Sequence, residues 1–336
     1  MWSLLLLPLA GTSALVGCQH GLQRAMLSPP RRGALLLEAA GGNGDGEAGG
    51  DGNGEATLDG SIGLAPLASN LGVQALYAAV AAFGVTFLLA PFGGPTPVAL
   101  LGVAAPWHAY DGALDAIAPP AAEAALGAGV ALAELMRLGV LDDAEQSLDY
   151  TPAQALQMRP LYEIAGAEPS LPAAIAAISA WQLSIALAEE LYYRGFIESV
   201  GVLAISWPLR DAGAAAGPAL LALVEGLPLL VSAVLFGLVH AEFVEGAGEG
   251  AGAGASNADG VEDSKSYWFR VTAAYSVLYS ALYVVSGHRV LAPVFCHAGL
   301  NVGLCVRDWK RMRRSPAGML ERVFRAVDGR DTFGLE

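Results

Sequence analysis

The chain has 336 residues, of which 54% are hydrophobic and 15% charged, with a mean hydropathy of +0.48. An ordinary soluble domain carries about 25% charged residues, so this composition cannot clothe a water-exposed surface and excludes a typical soluble enzyme. Thirty-two acids against 18 bases give a formal net charge of -14, which repels phosphate backbones and excludes nucleic-acid binding.

Residues 1–37 contain no acid. They open on the apolar run MWSLLLLPLAGTSALVG, shorter than the ~20 residues of a membrane span and suited to a signal core. Arg24, Arg31 and Arg32 follow with Ser28 and a proline pair, a transit-peptide composition, and together the two predict a targeting region of the kind that suits a plastid with extra membranes. Leu15-Val16-Gly17-Cys18 also fits a bacterial lipoprotein box, although no Lys or Arg precedes it. Residues 38–65 read as a disordered linker, because 41–60 hold nine glycines and almost no apolar side chain.

Beyond the linker, stretches rich in Ala and Leu and too long for strands predict helices over 69–91, 171–190, 216–241, 267–286 and 290–306, with weaker ones at 97–107 and 119–141. The fold class is therefore an all-α polytopic transmembrane bundle of six to eight membrane helices. Residues 66–165 form its first group of helices and 166–306 its core, interrupted by a glycine-rich loop over 244–264 that lipid could not accept. The tail 307–336 begins RDWKRMRR, five bases in eight residues, which the positive-inside bias places on the stromal or cytosolic side. Cys18, Cys296 and Cys305 are too few for a disulfide framework or a thiolate metal site.

Ionisable side chains at membrane depth cost about 2.5 to 3.5 kcal/mol each and are functional candidates for that reason. They fall in three clusters. In Glu189-Glu190-Leu191-Tyr192-Tyr193-Arg194, Glu190 and Arg194 stand one helical turn apart and can pair, while Glu189 points about 100° away and is the better general base. A helix end reaching water would also hold two Glu and an Arg. In Phe236-Gly237-Leu238-Val239-His240 an imidazole closes an apolar run, and in His297-Ala298-Gly299-Leu300-Asn301 two polar groups share one helix face. Taken singly, the first could be an interfacial histidine and the second glue between helices.

In order along the chain these are the motifs EExxxR, FxxxH and HxxxN, set in the texts EELYYRGF, FGLVH and SGHRVLAPVFCHAGLN. The ordered triple resembles the CPBP family of intramembrane glutamate proteases, which includes the type II CaaX prenyl endopeptidases and Abi-type proteins, over residues 171 to 306. The resemblance implies that Glu189 and His240 deprotonate a water that attacks a peptide carbonyl. It implies that His297 and Asn301 donate to the oxyanion, and that Glu190 and Arg194 form a supporting ion pair. The substrate would be a membrane-associated protein or peptide, prenylated or not, with the lipid bilayer as surroundings.

No cofactor is expected. Zinc held by Glu189, His240 and His297 is the chemical competitor, but no HExxH motif accompanies them. His288, beside Arg289, reads as interfacial, and His108 between Trp107 and Tyr110 fits a membrane-interface belt. The motif text together with the acid-free leader favours a plastid membrane, with the endoplasmic reticulum and CaaX processing there as the alternative. A non-catalytic membrane scaffold or protector protein on the same fold is the alternative in a different class.

Overall fold

A computed structural model describes residues 62–101, 120–140, 152–165, 170–211, 217–249 and 258–314. The targeting region, most of the linker, His108 and the tail beyond 314 lie outside the described residues. The elements are α1 Leu64–Gly84, extended by a π turn at Val85–Leu89 and a 3-10 turn at Ala90–Phe92, then α2 Pro97–Leu100, α3 Pro120–Arg137 and α4 Pro152–Ala165. After them come α5 Leu171–Glu190, a π-helical segment Leu191–Glu198, α6 Ser199–Asp211, α7 Pro218–Glu249, α8 Ala258–Val285 and α9 Leu291–Arg314. No strand occurs among the described residues.

Among the described residues, three stretches are long and apolar enough to cross a membrane: Leu64–Phe92, Leu171–Ser206 and Ala222–Ala241. Their outward faces carry Phe83, Phe87, Leu183, Leu230, Val234 and Leu238, exposed apolar side chains suited to lipid. The remaining helices fall short of that measure for legible reasons. α3 holds Glu123, Glu134 and Arg137 within 18 residues, α8 carries Arg270 with several Tyr and Ser, and α9 carries His297 and Asn301 before its basic end. In α9 the polar groups include the candidate site residues His297 and Asn301, whereas those of α3 and Arg270 of α8 lie outside the site.

Past the paired glutamates the chain stays helical through the π segment into α6, one of the two readings open for 195–208, a continuation of the helix before it or a separate short helix. Several other limits differ from the expectation. The loop expected over 244–264 is helical at both ends, since α7 reaches Glu249 and α8 starts at Ala258. α4 had no counterpart in the hydropathy reading, because Gln154, Gln157, Arg159 and Glu163 dilute its apolar residues. The tail's first eight residues are the last turns of α9.

α9 packs chiefly against α3, α5 and α8. Against α3 the contact is close because small residues face each other: a Cβ on Gly127 would strike the carbonyl oxygen of Ala292, and one on Gly299 would come within 2.8 Å of the Ala131 Cβ. Gly127→Ala is expected to lower stability by about 1–3 kcal/mol through overpacking against rigid backbone. Gly129→Ala, which meets no atom within 4 Å, should be neutral or gain up to about 1 kcal/mol of helix propensity. Unfolding titrations of the two variants in detergent check the contrast.

Candidate active site

The site forms where the end of α5, the following π segment, α7, α8 and α9 converge. π-helical backbone closes its hydrogen bonds at i+5, a rare geometry that recurs at functional positions. Two local features accompany it here. Ser199 Oγ donates back to the Arg194 carbonyl at 3.2 Å, and Gly195 lets Leu100 approach to where a Cβ would lie 2.9 Å away. The segment brings Glu190, Arg194 and Glu198 inward, all fully buried.

Glu190 Oε2 lies 3.2 Å from Arg194 Nε. Arg194 also donates through Nη2 to the Ser276 carbonyl at 2.8 Å and to Ser276 Oγ at 2.5 Å. Its guanidinium lies among aromatic rings, 5.2 Å from the Phe236 centroid and 5.5 Å from that of Tyr279. The buried cation thus has a carboxylate beside it, two oxygen acceptors on Nη2 and π faces, while Nε and Nη1 make no hydrogen bond among the described residues.

The other oxygen of Glu190, Oε1, sits 2.9 Å from His297 Nδ1. A carboxylate can only accept there, so Nδ1 carries the proton and donates. His297 Nε2 then faces Glu189 Oε2 at 3.8 Å, so the imidazole stands between the two glutamates. Tyr279 stacks on its face, with centroids 4.7 Å apart and planes 15° from parallel, and Phe236 meets it edge-on at 6.0 Å. Four contacts therefore fix this ring.

His240 is held differently. Its Nδ1 donates to the Phe236 carbonyl at 2.8 Å, one turn back on α7, which leaves the lone pair on Nε2. The Phe236 ring lies 4.2 Å from the His240 ring and joins it to the His297 side of the site. Asn301 is half-buried one turn beyond His297, and among the described residues it makes no hydrogen bond to the other five. His297 thus links Glu190, which pairs with Arg194, and faces Glu189; His240 joins through an aromatic ring, and Asn301 lies one turn beyond His297 on the same helix.

Residues 171–303 match the family model described as Type II CAAX prenyl endopeptidase Rce1-like. Over that span the chain is similar to the Rce1-like family. No curated protein and no solved structure matches the chain. The matched span runs from the first residue of α5 to two residues past Asn301, so all three motifs and every candidate site residue fall within it. At the family level the domain is of the membrane endopeptidase type.

Several residues of the matched span escape a reading of sequence alone. Spacing assigns Glu190 only to the Arg194 pair, whereas its second oxygen holds His297, a contact 107 residues away in sequence. Ser276, Tyr279 and Ser280 stand in no motif, although Ser276, Ser280 and Tyr283 each bond a partner in the π segment or at the start of α6: Arg194, Glu198 at 2.8 Å and Ser199 at 2.9 Å. The signal was available in SVLYSALY, where polar positions recur at three- and four-residue spacing on an apolar helix. His288, read as interfacial, is buried and bonds Glu225. Among the described residues, no three His, Cys, Asp or Glu side chains gather where they could hold a metal ion.

Tyr279→Leu removes the stack while keeping an apolar side chain, and its hydroxyl is not needed for any contact described above. It is expected to lower turnover about tenfold by freeing the imidazole of His297, with stability changed by less than about 2 kcal/mol. Steady-state kinetics beside an unfolding titration separates the two effects.

Proposed function

We propose that this protein is an intramembrane endopeptidase that hydrolyses a peptide bond of a membrane-associated substrate without a metal ion. Glu189 and His240 act as the basic groups on a water molecule. Glu189 suits the role because it has no cationic partner on its own helix, and His240 because its Nδ1 is committed to the Phe236 carbonyl and its lone pair is on Nε2. The deprotonated water attacks the carbonyl carbon, the C=O electron pair moves onto oxygen, and collapse breaks the C–N bond as the proton passes to the leaving amine.

His297 and Asn301 stabilise the oxyanion, each donor contributing of order a hundredfold to a thousandfold. Since Nδ1 of His297 donates to Glu190, its Nε2 donates only when the ring carries both protons. Glu190 and Arg194 hold the ring in place. The observation that carries the reading is the placement of His297 between Glu189 and Glu190 inside the matched domain.

The substrate class is a protein or peptide presented at the bilayer, prenylated proteins included. The acid-free leader favours a plastid membrane over the endoplasmic reticulum. The test compares membrane-protein termini by mass spectrometry in cells lacking this protein and complemented with wild type or Glu189→Gln. New termini with wild type alone support the reading and name the substrates. Identical termini, with Glu189→Gln restoring the cells equally, leave a non-catalytic scaffold. Activity of the purified protein should be indifferent to a strong chelator, whereas a zinc enzyme would lose it.

A further inference from the structure

The three residues that precede α9 are each tied to a different part of the bundle. His288 Nε2 meets Glu225 Oε2 of α7 at 2.9 Å. Arg289 Nη1 meets Glu123 Oε1 of α3 at 2.5 Å, with both side chains almost fully buried. The Val290 amide donates to the Leu100 carbonyl at the end of α2 at 2.9 Å. His288 adopts φ +59°, the only positive φ of a non-glycine residue among those described, beside Gly287 at +68°. Its ring also meets Tyr283 edge-on at 5.2 Å.

A buried ion pair beside a left-handed histidine tied to a carboxylate is an inefficient way to gain stability. Replacing a buried ion pair by apolar residues of similar volume is often neutral or stabilising, and the best-attested use of such pairs is to fix register. Register matters here because α9 begins at Leu291, immediately after the ties, and His297 lies six residues, about 9 Å, along it. A rotation of about 20° would move a side-chain atom about 6 Å from the helix axis by about 2 Å, enough to part His297 from Glu190.

We propose that the pairs His288 with Glu225 and Arg289 with Glu123 are a mount of positioning residues that sets the rotation and depth of α9, and so places His297 and Asn301 against Glu189 and Glu190. The effect on turnover rests on the endopeptidase reading; the effect on register stands without it. The mount touches no reacting group. It fixes the helix that carries them.

The test uses the full chain in lipid nanodiscs with an internally quenched farnesylated peptide ending in a CAAX box. Glu123→Leu/Arg289→Met removes both partners of the buried pair together, and is expected to melt within a few degrees of wild type while kcat falls at least tenfold with KM within about twofold. His288→Leu should behave likewise. His288→Asn, which tolerates a positive φ and whose shorter amide can donate to Glu225 through a bridging water, should return kcat to within about threefold of wild type.

The second readout needs no activity. Spin labels at Leu238 on α7 and Phe295 on α9, both outward-facing and outside the site, should give a narrow distance distribution in wild type and His288→Asn. The distribution should broaden in the double variant and in His288→Leu. If the wild type cleaves the peptide, an unchanged kcat in the double variant overturns the proposal. If it cleaves nothing, the endopeptidase reading fails on its own, and the distance distribution alone decides: unchanged, it overturns the mount. Should His288→Leu not accumulate, the double variant and His288→Asn carry the test.

Discussion

Glu189→Gln is expected to lower kcat by about 10²- to 10⁴-fold, the usual contribution of a positioned general base, while the unfolding midpoint stays close to that of wild type. The two adjacent glutamates should separate cleanly on this measure. Glu189 is half-buried and lies 3.8 Å from His297 Nε2, beyond direct hydrogen-bond distance, so an amide there disturbs little besides the base itself. Glu190 is fully buried and spends one oxygen on Arg194 and the other on His297. Glu190→Gln therefore loses turnover and stability together. Kinetics and unfolding on the same two purified variants provide the check, and equal stability losses for the pair would contradict the assignment of the base to Glu189.

Arg194→Met should be the most damaging single change to the fold. It leaves Glu190 buried with no cation beside it, an uncompensated charge that costs about 3–5 kcal/mol. It also strips Ser276 of its partner and the rings of Phe236 and Tyr279 of the guanidinium between them. That loss is comparable with the whole stability of many domains, so the variant is expected to accumulate poorly in membranes. Glu190→Gln/Arg194→Met removes both charges and should recover much of the loss in fold, though not in activity. Membrane levels and detergent unfolding of the single and double variants test the order; a double variant less stable than Arg194→Met would show that the stranded charge of Glu190 is not what unfolds the single variant.

Much of the site was legible in the sequence because its chemistry is concentrated in short motifs on apolar helices. Glu190 and Arg194 could be paired from spacing alone, since one helical turn separates them. His297 and Asn301 could be placed on one face in the same way. What spacing cannot reveal is which helices stand side by side, so the contacts of Glu190 with His297 and of Arg194 with Ser276 were out of reach. The helical class followed from composition. The limits of α5, α7 and α8 did not, because hydropathy records where apolar residues stop and backbone hydrogen bonds continue past that point, through Gly195 in one case and to Glu249 in another. His288 was misjudged for a related reason. A histidine beside an arginine in a turn reads as wet until Glu225 and Glu123, both distant in sequence, are seen to cover the two.

The eight residues from Leu191 to Glu198 wind more loosely than the helices on either side of them, fitting more chain into each turn. Their number is thus as constrained as their identity. Swapping one side chain there is a local event, but excising a single residue would either turn Ser199 and all that follows to Ser206 by up to about 100° relative to Glu190 or force the backbone to tighten to ordinary closure and lose the loose turn that carries Arg194 and Glu198. Insertions and deletions in this stretch act as rotations of a whole helix, so natural variants of the domain should differ here by replacement and keep its length.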